Sequence, residues 1–284
     1  MKLLVFGLGF SALHAAQRLQ EAGAQVTATV RTRTKAENLA QGITARIFSS
    51  DHADTEIAQD IADSNAVLVS VPPGESGDPV LASFADRIAA APNLRWIGYL
   101  STVGVYGDHG GGWVDETTPL GAGKQRSQNR VTAEHAWLAL GAHIFRLSGI
   151  YGPGRNQLVQ LASGTARRIV KPGQTFNRIH VADIAAVIEA SLARPRPGGI
   201  YNVTDNEPAP PQDVVAFAAK LCGLEPPAEI PFERAELSPM AKSFYSENRR
   251  VRNAFIREEL GVTLSYPTYR EGLTALRALG DGPG

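Results

Sequence analysis

Leu3-Leu4-Val5-Phe6-Gly7-Leu8-Gly9-Phe10-Ser11-Ala12 decides how the rest of this 284-residue chain is read. Four apolar residues make a β-like run. Two glycines one residue apart follow, and small residues then open a helical pattern. Each position has a physical task. Gly7 permits a tight turn, Gly9 has no Cβ and lets a ligand phosphate approach the backbone, and the small Ala12 lets the helix lie close to the strand. Such a helix offers the free N–H groups of its first turn, Phe10 and Ser11 included, and a partial positive charge to an anion. The spacing G-x-G-x-x-A is weak evidence alone. Here it follows the first strand and opens a β-α-β unit, which is the context the motif demands.

Working outward, short apolar runs alternate with helical ones. The runs Leu3–Phe6, Val26–Val30, Ala45–Phe48, Ala66–Val71, Trp96–Leu100, His143–Leu147 and Ile200–Val203 are apolar along their length, as parallel strands covered on both faces are. Between them the pattern predicts helices over Ala12–Ala22, Thr34–Ala40, Thr55–Ile61, Val80–Ala90 and Ser127–Leu140. Repeated β-α-β with short links predicts an α/β fold, a Rossmann-type doubly wound parallel sheet with a smaller C-terminal substrate domain. Residues 1–150 would form the dinucleotide-binding part, with 177–204 returning to it; 151–176 and 205–284 would form the smaller part. In the last third the pattern predicts a helix over Val214–Leu221. A Pro-rich stretch from Pro226 to Pro239 follows, then a solvated basic helix start at Arg249–Arg252 and a frayed tail over Gly280–Gly284.

Composition narrows the classes. Lys+Arg and Asp+Glu both number 28, so no basic excess points to nucleic acid or to a membrane surface. The apolar runs are too short to span a bilayer, and no secretory signal is read at the N-terminus. The single cysteine, Cys222, excludes an intrachain disulfide framework and fits a reducing cytoplasm. It lies in an apolar helical pattern and reads as a small hydrophobe. The six histidines show no metal-ligand spacing, so no metal is expected.

The second strand should end in an acidic residue if the ribose carries a free 2′-hydroxyl. Instead Arg31 follows Val30, with Arg33 and Lys35 nearby. A guanidinium there can hold a 2′-phosphate bidentately, so NADP(H) is expected over NAD(H); the plainer alternative is a solvated basic turn.

A second motif, Leu100-Ser101-Thr102-Val103-Gly104-Val105-Tyr106-Gly107-Asp108, follows the fifth strand. Phe145-Arg146-Leu147-Ser148-Gly149-Ile150-Tyr151-Gly152-Pro153-Gly154 and Arg178-Ile179-His180-Val181-Ala182-Asp183 come later, in that order. Together with the first motif they resemble the extended and atypical short-chain dehydrogenases/reductases, the NAD(P)-dependent epimerase/dehydratase-like family, over nearly the whole chain. That resemblance implies roles residue by residue. Thr102 would bond the substrate oxygen. Val71, Pro72 and Pro73 would line the cofactor, Ser50 and Asp51 would lie near the adenine, and Leu147, Ser148 and Ile150 beside the nicotinamide. A homodimer through the helix carrying Val131, His135, Trp137 and Leu138 is expected of many such relatives; otherwise Trp137 and Leu138 simply pack on the sheet.

The departure lies in Gly121-Ala122-Gly123-Lys124-Gln125-Arg126-Ser127-Gln128-Asn129-Arg130, where the family carries Tyr-x-x-x-Lys. Anchoring on Glu134 puts Arg126 at the tyrosine position and Arg130 at the lysine position. Arg130 could hold the ribose hydroxyls. Arg126 does not exchange protons near neutrality, because a guanidinium titrates above about 12, but it could stabilise an oxyanion. Tyr106, Tyr151 and His180 are the other candidates for the acid, each with a structural alternative. The acidic pair of the family's dehydratases is replaced by Val103 and Gly104, which disfavours sugar dehydration of that type. Arg155, Arg178 and His180 are candidate contacts for a small-molecule, anionic substrate, or else part of a loop edge. Two readings result: an NADP(H)-dependent oxidoreductase or epimerase acting on a small hydroxyl- or carbonyl-bearing metabolite, or a non-catalytic NADP(H)-binding regulator or sensor.

Overall fold

The computed structural model describes residues 1–39 and 41–283. Seven parallel strands form the central sheet: β1 (Lys2–Phe6), β2 (Gln25–Val30), β3 (Ile43–Ile47), β4 (Ala66–Val69), β5 (Trp96–Thr102), β6 (His143–Leu147) and β7 (Ile200–Val203). Their order across the sheet is β7-β6-β5-β4-β1-β2-β3. The chain therefore reverses direction of travel between β1 and β4. Doubly wound sheets bind ligands at such a reversal, beyond the C-terminal ends of the strands.

The uniformly apolar strands follow from burial on both faces. Leu3 and Val5 of β1 point into one core with α1 (Phe10–Glu21) and the Val181–Ala193 helix. Leu4 and Phe6 point into the other, with α3 (Ile57–Asp63) and α4 (Pro79–Ala89). In sequence order the helices between these are α2 (Arg33–Glu37) and, after α4, α5 (Gln125–Ala139). Each fully buried aliphatic side chain contributes about 1.5–3 kcal/mol.

The seven strands fall where the apolar runs lie, with ends displaced by up to two residues. The helix expected over Thr34–Ala40 is the shorter Arg33–Glu37, stopped within a polar loop, and Ala40 lies outside the described residues. Val181–Ala193 is a helix that the sequence pattern left as a motif only; it packs against α1. Two expectations are corrected. Arg249–Arg252 is not a solvated helix start. Arg250–Val251 pairs as a strand with Trp113–Val114, and Arg249 is largely buried against Glu247 while donating to the Gly107 carbonyl. The tail is not frayed as far as it is described. Asp281 Oδ2 accepts from Gly154 N (3.1 Å) and Asn156 Nδ2 (2.6 Å), and Arg277 holds the carbonyls of Asp281 and Pro283. Gly284 lies outside the described residues.

A separate apolar cluster joins Tyr151, Leu158, Val214, Ala218, Leu273 and Leu276. Ile256, Leu260, Val262 and Leu264, which the sequence places with that smaller unit, pack instead on the first core. No described helix is long and apolar enough to cross a membrane.

Candidate functional site

The phosphate cradle is built as its spacing demands. Gly7 has φ +83°, and a Cβ there would lie 2.8 Å from Val71 Cγ2 and 3.2 Å from Val71 N. No other residue fits that turn at that closeness. β2 holds the turn from the side: Gly7 N donates to Thr29 Oγ1 (2.9 Å) and Leu8 N to the Thr29 carbonyl (3.0 Å). Gly9 is the N-cap of α1, and no side chain caps it. The space where its Cβ would be has no atom within 4 Å. Buried Ser11 and Ala12 seat the first turn of α1 on the sheet. An open helix N-terminus, a glycine with free space before it, and the Val71-Pro72-Pro73 segment closing one side fit a bound dinucleotide phosphate.

The other expected cofactor residues also lie at strand ends. Arg31 directly follows β2 and is exposed; among the described residues it makes no ion pair or side-chain hydrogen bond, and Arg33 and Lys35 beside it are exposed too. Asp51 lies in the loop after β3. The Ser49 hydroxyl donates to it at 2.8 Å and holds its carboxyl below the usual carboxylate range. Leu147 is the last residue of β6 and pairs in register with Thr102 and Val203. Ile150 is half-buried in a short strand that pairs with Arg178–His180.

Thr102 ends β5 and turns its hydroxyl to accept from Gly104 N (3.1 Å). The helix opposite does not present the expected pair. Arg126 is exposed and makes no hydrogen bond or ion pair among the described residues. Arg130 reaches inward, donating to the Leu100 carbonyl (2.6 Å) and Tyr99 Oη (3.1 Å). Its Nη1 is committed to the scaffold. The residue that faces Thr102 is Ser127. A Cβ built on Gly104 would sit 3.3 Å from Thr102 Oγ1 and 3.4 Å from Ser127 Oγ. Two hydroxyls therefore flank a small space left by a glycine. Anchoring the Tyr-x-x-x-Lys spacing on Glu134 points to Arg126 and Arg130 and away from Ser127. The burial rhythm of α5 would have found it: Ser127, Glu134 and Trp137 are its buried positions, apart from Ala133, and all lie on the Arg130 face.

Behind these hydroxyls runs a buried polar chain. Ser101 Oγ donates to Glu134 Oε1 (2.5 Å). Arg146 grips the same carboxylate through Nε (3.2–3.3 Å) and Nη2 (2.8 Å). Arg146 Nη1 donates to Tyr106 Oη (2.9 Å), which donates to Asn202 Oδ1 (2.8 Å). Tyr106 is thus locked, and burial, offset in part by Arg146, pushes its phenol up to about 12. Tyr151 is also buried, which raises its phenol, and its hydroxyl donates to the Thr268 carbonyl (3.4 Å). His180 caps the Val181–Ala193 helix through Nδ1, which accepts from Ala182 N (3.2 Å), and lies against Tyr151 and Tyr266. Burial, reinforced by His14, lowers its pKa to about 4, so the ring is neutral. None of the three presents a proton that titrates near neutrality beside Thr102.

Arg178 does not face a cleft. Its guanidinium is buried, donates to the Phe176 (2.9 Å) and Ala209 (3.0 Å) carbonyls, and has its pKa lowered by that burial. Asp205 lies near it, with its carboxyl pushed up to about 8 by burial. Arg155 is exposed and lies with its guanidinium 5.5 Å over the Phe10 ring. Trp137 and Leu138 pack inward on the sheet, the first stacked on Tyr99 and bonded to Asp78. Among the described residues no His/Cys/Asp/Glu cluster could hold a metal ion.

A doubly wound parallel sheet, a glycine turn at its switch point and an open helix N-terminus beside it define a Rossmann-type α/β protein. No family profile matches the chain, and no curated protein does. Solved structures do. A conserved protein of unknown function from Silicibacter pomeroyi is 49% identical over 99% of both chains, with a TM-score of 0.90. A protein from Methylobacillus flagellatus, provisionally named an NAD-dependent epimerase/dehydratase, is 27% identical over 98% of both chains, with a TM-score of 0.74. The human epimerase family protein SDR39U1, solved with NADPH, shares the fold at 19% identity and a TM-score of 0.72, over 98% of this chain and 99% of that one. The last two of these structural neighbours are NAD-dependent epimerase/dehydratase-like proteins, the family whose motifs the sequence resembles, and the chain shares their fold.

Proposed function

We propose that this protein binds NADP(H) in preference to NAD(H) and acts as an atypical oxidoreductase or epimerase on a small hydroxyl- or carbonyl-bearing metabolite. The observation that carries the cofactor choice is Arg31, exposed and unpaired at the end of β2 where a free ribose hydroxyl would call for an acid. Gly7, Gly9 and the first turn of α1 hold the pyrophosphate; Val71 to Pro73, Leu147 and Ile150 line the rest. When bound, the nicotinamide supplies or accepts a hydride. The chain supplies the substrate's place: Thr102 and Ser127 bracket the space above Gly104, which suits one oxygen, a carbonyl accepting from both or a hydroxyl donating to one and accepting from the other. Arg126, exposed and one residue before Ser127, is a charge available to a substrate anion rather than a proton donor.

Binding of NADPH and NADH, followed by cofactor fluorescence, tests this. Wild type should bind NADPH at least about tenfold tighter, a difference near 1.4 kcal/mol. Arg31→Ala should remove that preference and leave NADH affinity unchanged. Equal affinities in the wild type refute the cofactor choice. A second reading, a non-catalytic NADP(H) sensor, is favoured by the locked state of Tyr106, Tyr151 and His180. Thr102→Ala separates the two: it abolishes turnover under the first and changes neither cofactor affinity nor partner binding under the second.

A further inference from the structure

Arg155 is the feature the cofactor reading leaves unexplained. It is an exposed cation with no carboxylate partner among the described residues, yet its position is strongly determined. Gly152 and Arg155 bond each other's backbones in both directions (3.1 and 3.0 Å), closing a tight turn. The turn is fastened from behind by Asp281, which accepts from Gly154 N and from Asn156 Nδ2. Its front rests on the cradle. A Cβ on Gly152 would lie 3.4 Å from Phe10 Cζ, and the Arg155 guanidinium carbon is 5.5 Å from the Phe10 ring centroid. Phe10 is the first residue of α1, the next after Gly9. A guanidinium lying on an aromatic face keeps its N–H edge free for an anion while its plane is fixed.

We propose that Arg155 is a second phosphate ligand, reaching across from the turn after β6 to clasp the dinucleotide pyrophosphate against the first turn of α1, with Phe10 as its positioning residue. This inference rests on the cofactor reading above and assigns Arg155 to the cofactor rather than to a substrate anion. The pyrophosphate is common to both nicotinamide dinucleotides, whereas the 2′-phosphate is not. Arg155 therefore sets affinity for both and discriminates neither, while Arg31 discriminates.

The experiment compares NADPH, NADH and adenosine 2′-monophosphate, which has the 2′-phosphate but no phosphate at the 5′ position, on wild type, Arg155→Ala, Arg155→Lys and Phe10→Leu. Arg155→Ala should weaken NADPH and NADH by the same factor, about ten- to a hundredfold. It should leave adenosine 2′-monophosphate within about twofold and flatten the dependence of NADPH affinity on salt. Arg155→Lys should recover part of the loss, and Phe10→Leu should weaken both dinucleotides with little further effect when added to Arg155→Ala. Arg155 is exposed, so the variants should melt with the wild type. Unchanged dinucleotide affinity in Arg155→Ala, or a loss confined to NADPH, overturns the proposal and leaves the cofactor reading standing. Failure of the wild type to bind either dinucleotide overturns both.

Discussion

The Glu134–Arg146 pair offers a test with a calculable size. Glu134 is fully buried and Arg146 nearly so, at 3% exposure. The guanidinium places three N–H···O contacts of 2.8–3.3 Å on the carboxylate, and Ser101 adds a fourth contact. Such a pair contributes little net stability, because desolvation offsets the attraction. Removing one partner is different, since it strands a charge. Glu134→Gln keeps the volume and the Ser101 bond but leaves Arg146 uncompensated. The cost should be about 3–5 kcal/mol, a large share of the roughly 5–15 kcal/mol of a whole protein. Arg146→Met should cost a similar amount. Replacing both, Glu134→Leu with Arg146→Met, should cost about 0–2 kcal/mol, far below the sum of the single changes. Urea unfolding at pH 7 with a common slope reads these values. A Glu134→Gln loss below about 1 kcal/mol, or a double variant equal to the sum, refutes the view that this chain carries a tightly coupled ion pair beneath Thr102.

Three further outcomes follow from named atoms. Gly9→Ala should fold like the wild type, since nothing lies within 4 Å of its new methyl, yet bind NADPH at least about tenfold more weakly; Gly7→Ala should lose both binding and stability, because φ +83° and Val71 oppose it. Asp205 has its folded-state pKa raised to about 8, so between pH 4 and 8 the folded chain holds a proton that the unfolded chain has lost, and stability falls with rising pH. His180, lowered to about 4, acts oppositely from pH 4 to 6.5, where the unfolded chain binds the extra proton. The two cancel up to pH 6.5, leaving a fall of about 1.4 kcal/mol per pH unit from there to pH 8. Asp205→Asn should flatten that fall in denaturation curves; a slope unchanged by the substitution rules this account out. Gly104→Ala should leave cofactor affinity and melting temperature near wild type while filling the space between Thr102 and Ser127; a crystal structure of the NADPH complex should show an ordered water bridging the two hydroxyls in the wild type and none in the variant.

The sheet was legible because burial on both faces leaves unbroken apolar runs, and the tight turn after its first strand demands a glycine at Gly7. The site was legible where backbone geometry dictates residue type, as at Gly7. It was less so where side chains decide. Ser127 and Arg126 are neighbours in sequence, and only the rotation of α5 against β5 tells which faces Thr102. Arg178 and Arg155 look alike as cations near turns, but one is drawn in by the Phe176 and Ala209 carbonyls and the other is laid on Phe10. Arg249–Arg252 reads as a solvated run because charge density hides a strand whose partner, Trp113–Val114, is remote in sequence.

Asp281 gives the turn that carries Arg155 a history as well as a position. The carboxylate that fastens Asn156 comes 125 residues after it in the chain. A ribosome adding about 5–20 residues per second needs roughly 6–25 s to cover that stretch. The glycine cradle, with β1, β2 and α1 all made early, precedes it by longer still. During synthesis the Gly7–Gly9 turn is therefore made well before the turn carrying Arg155 can be anchored by Asp281.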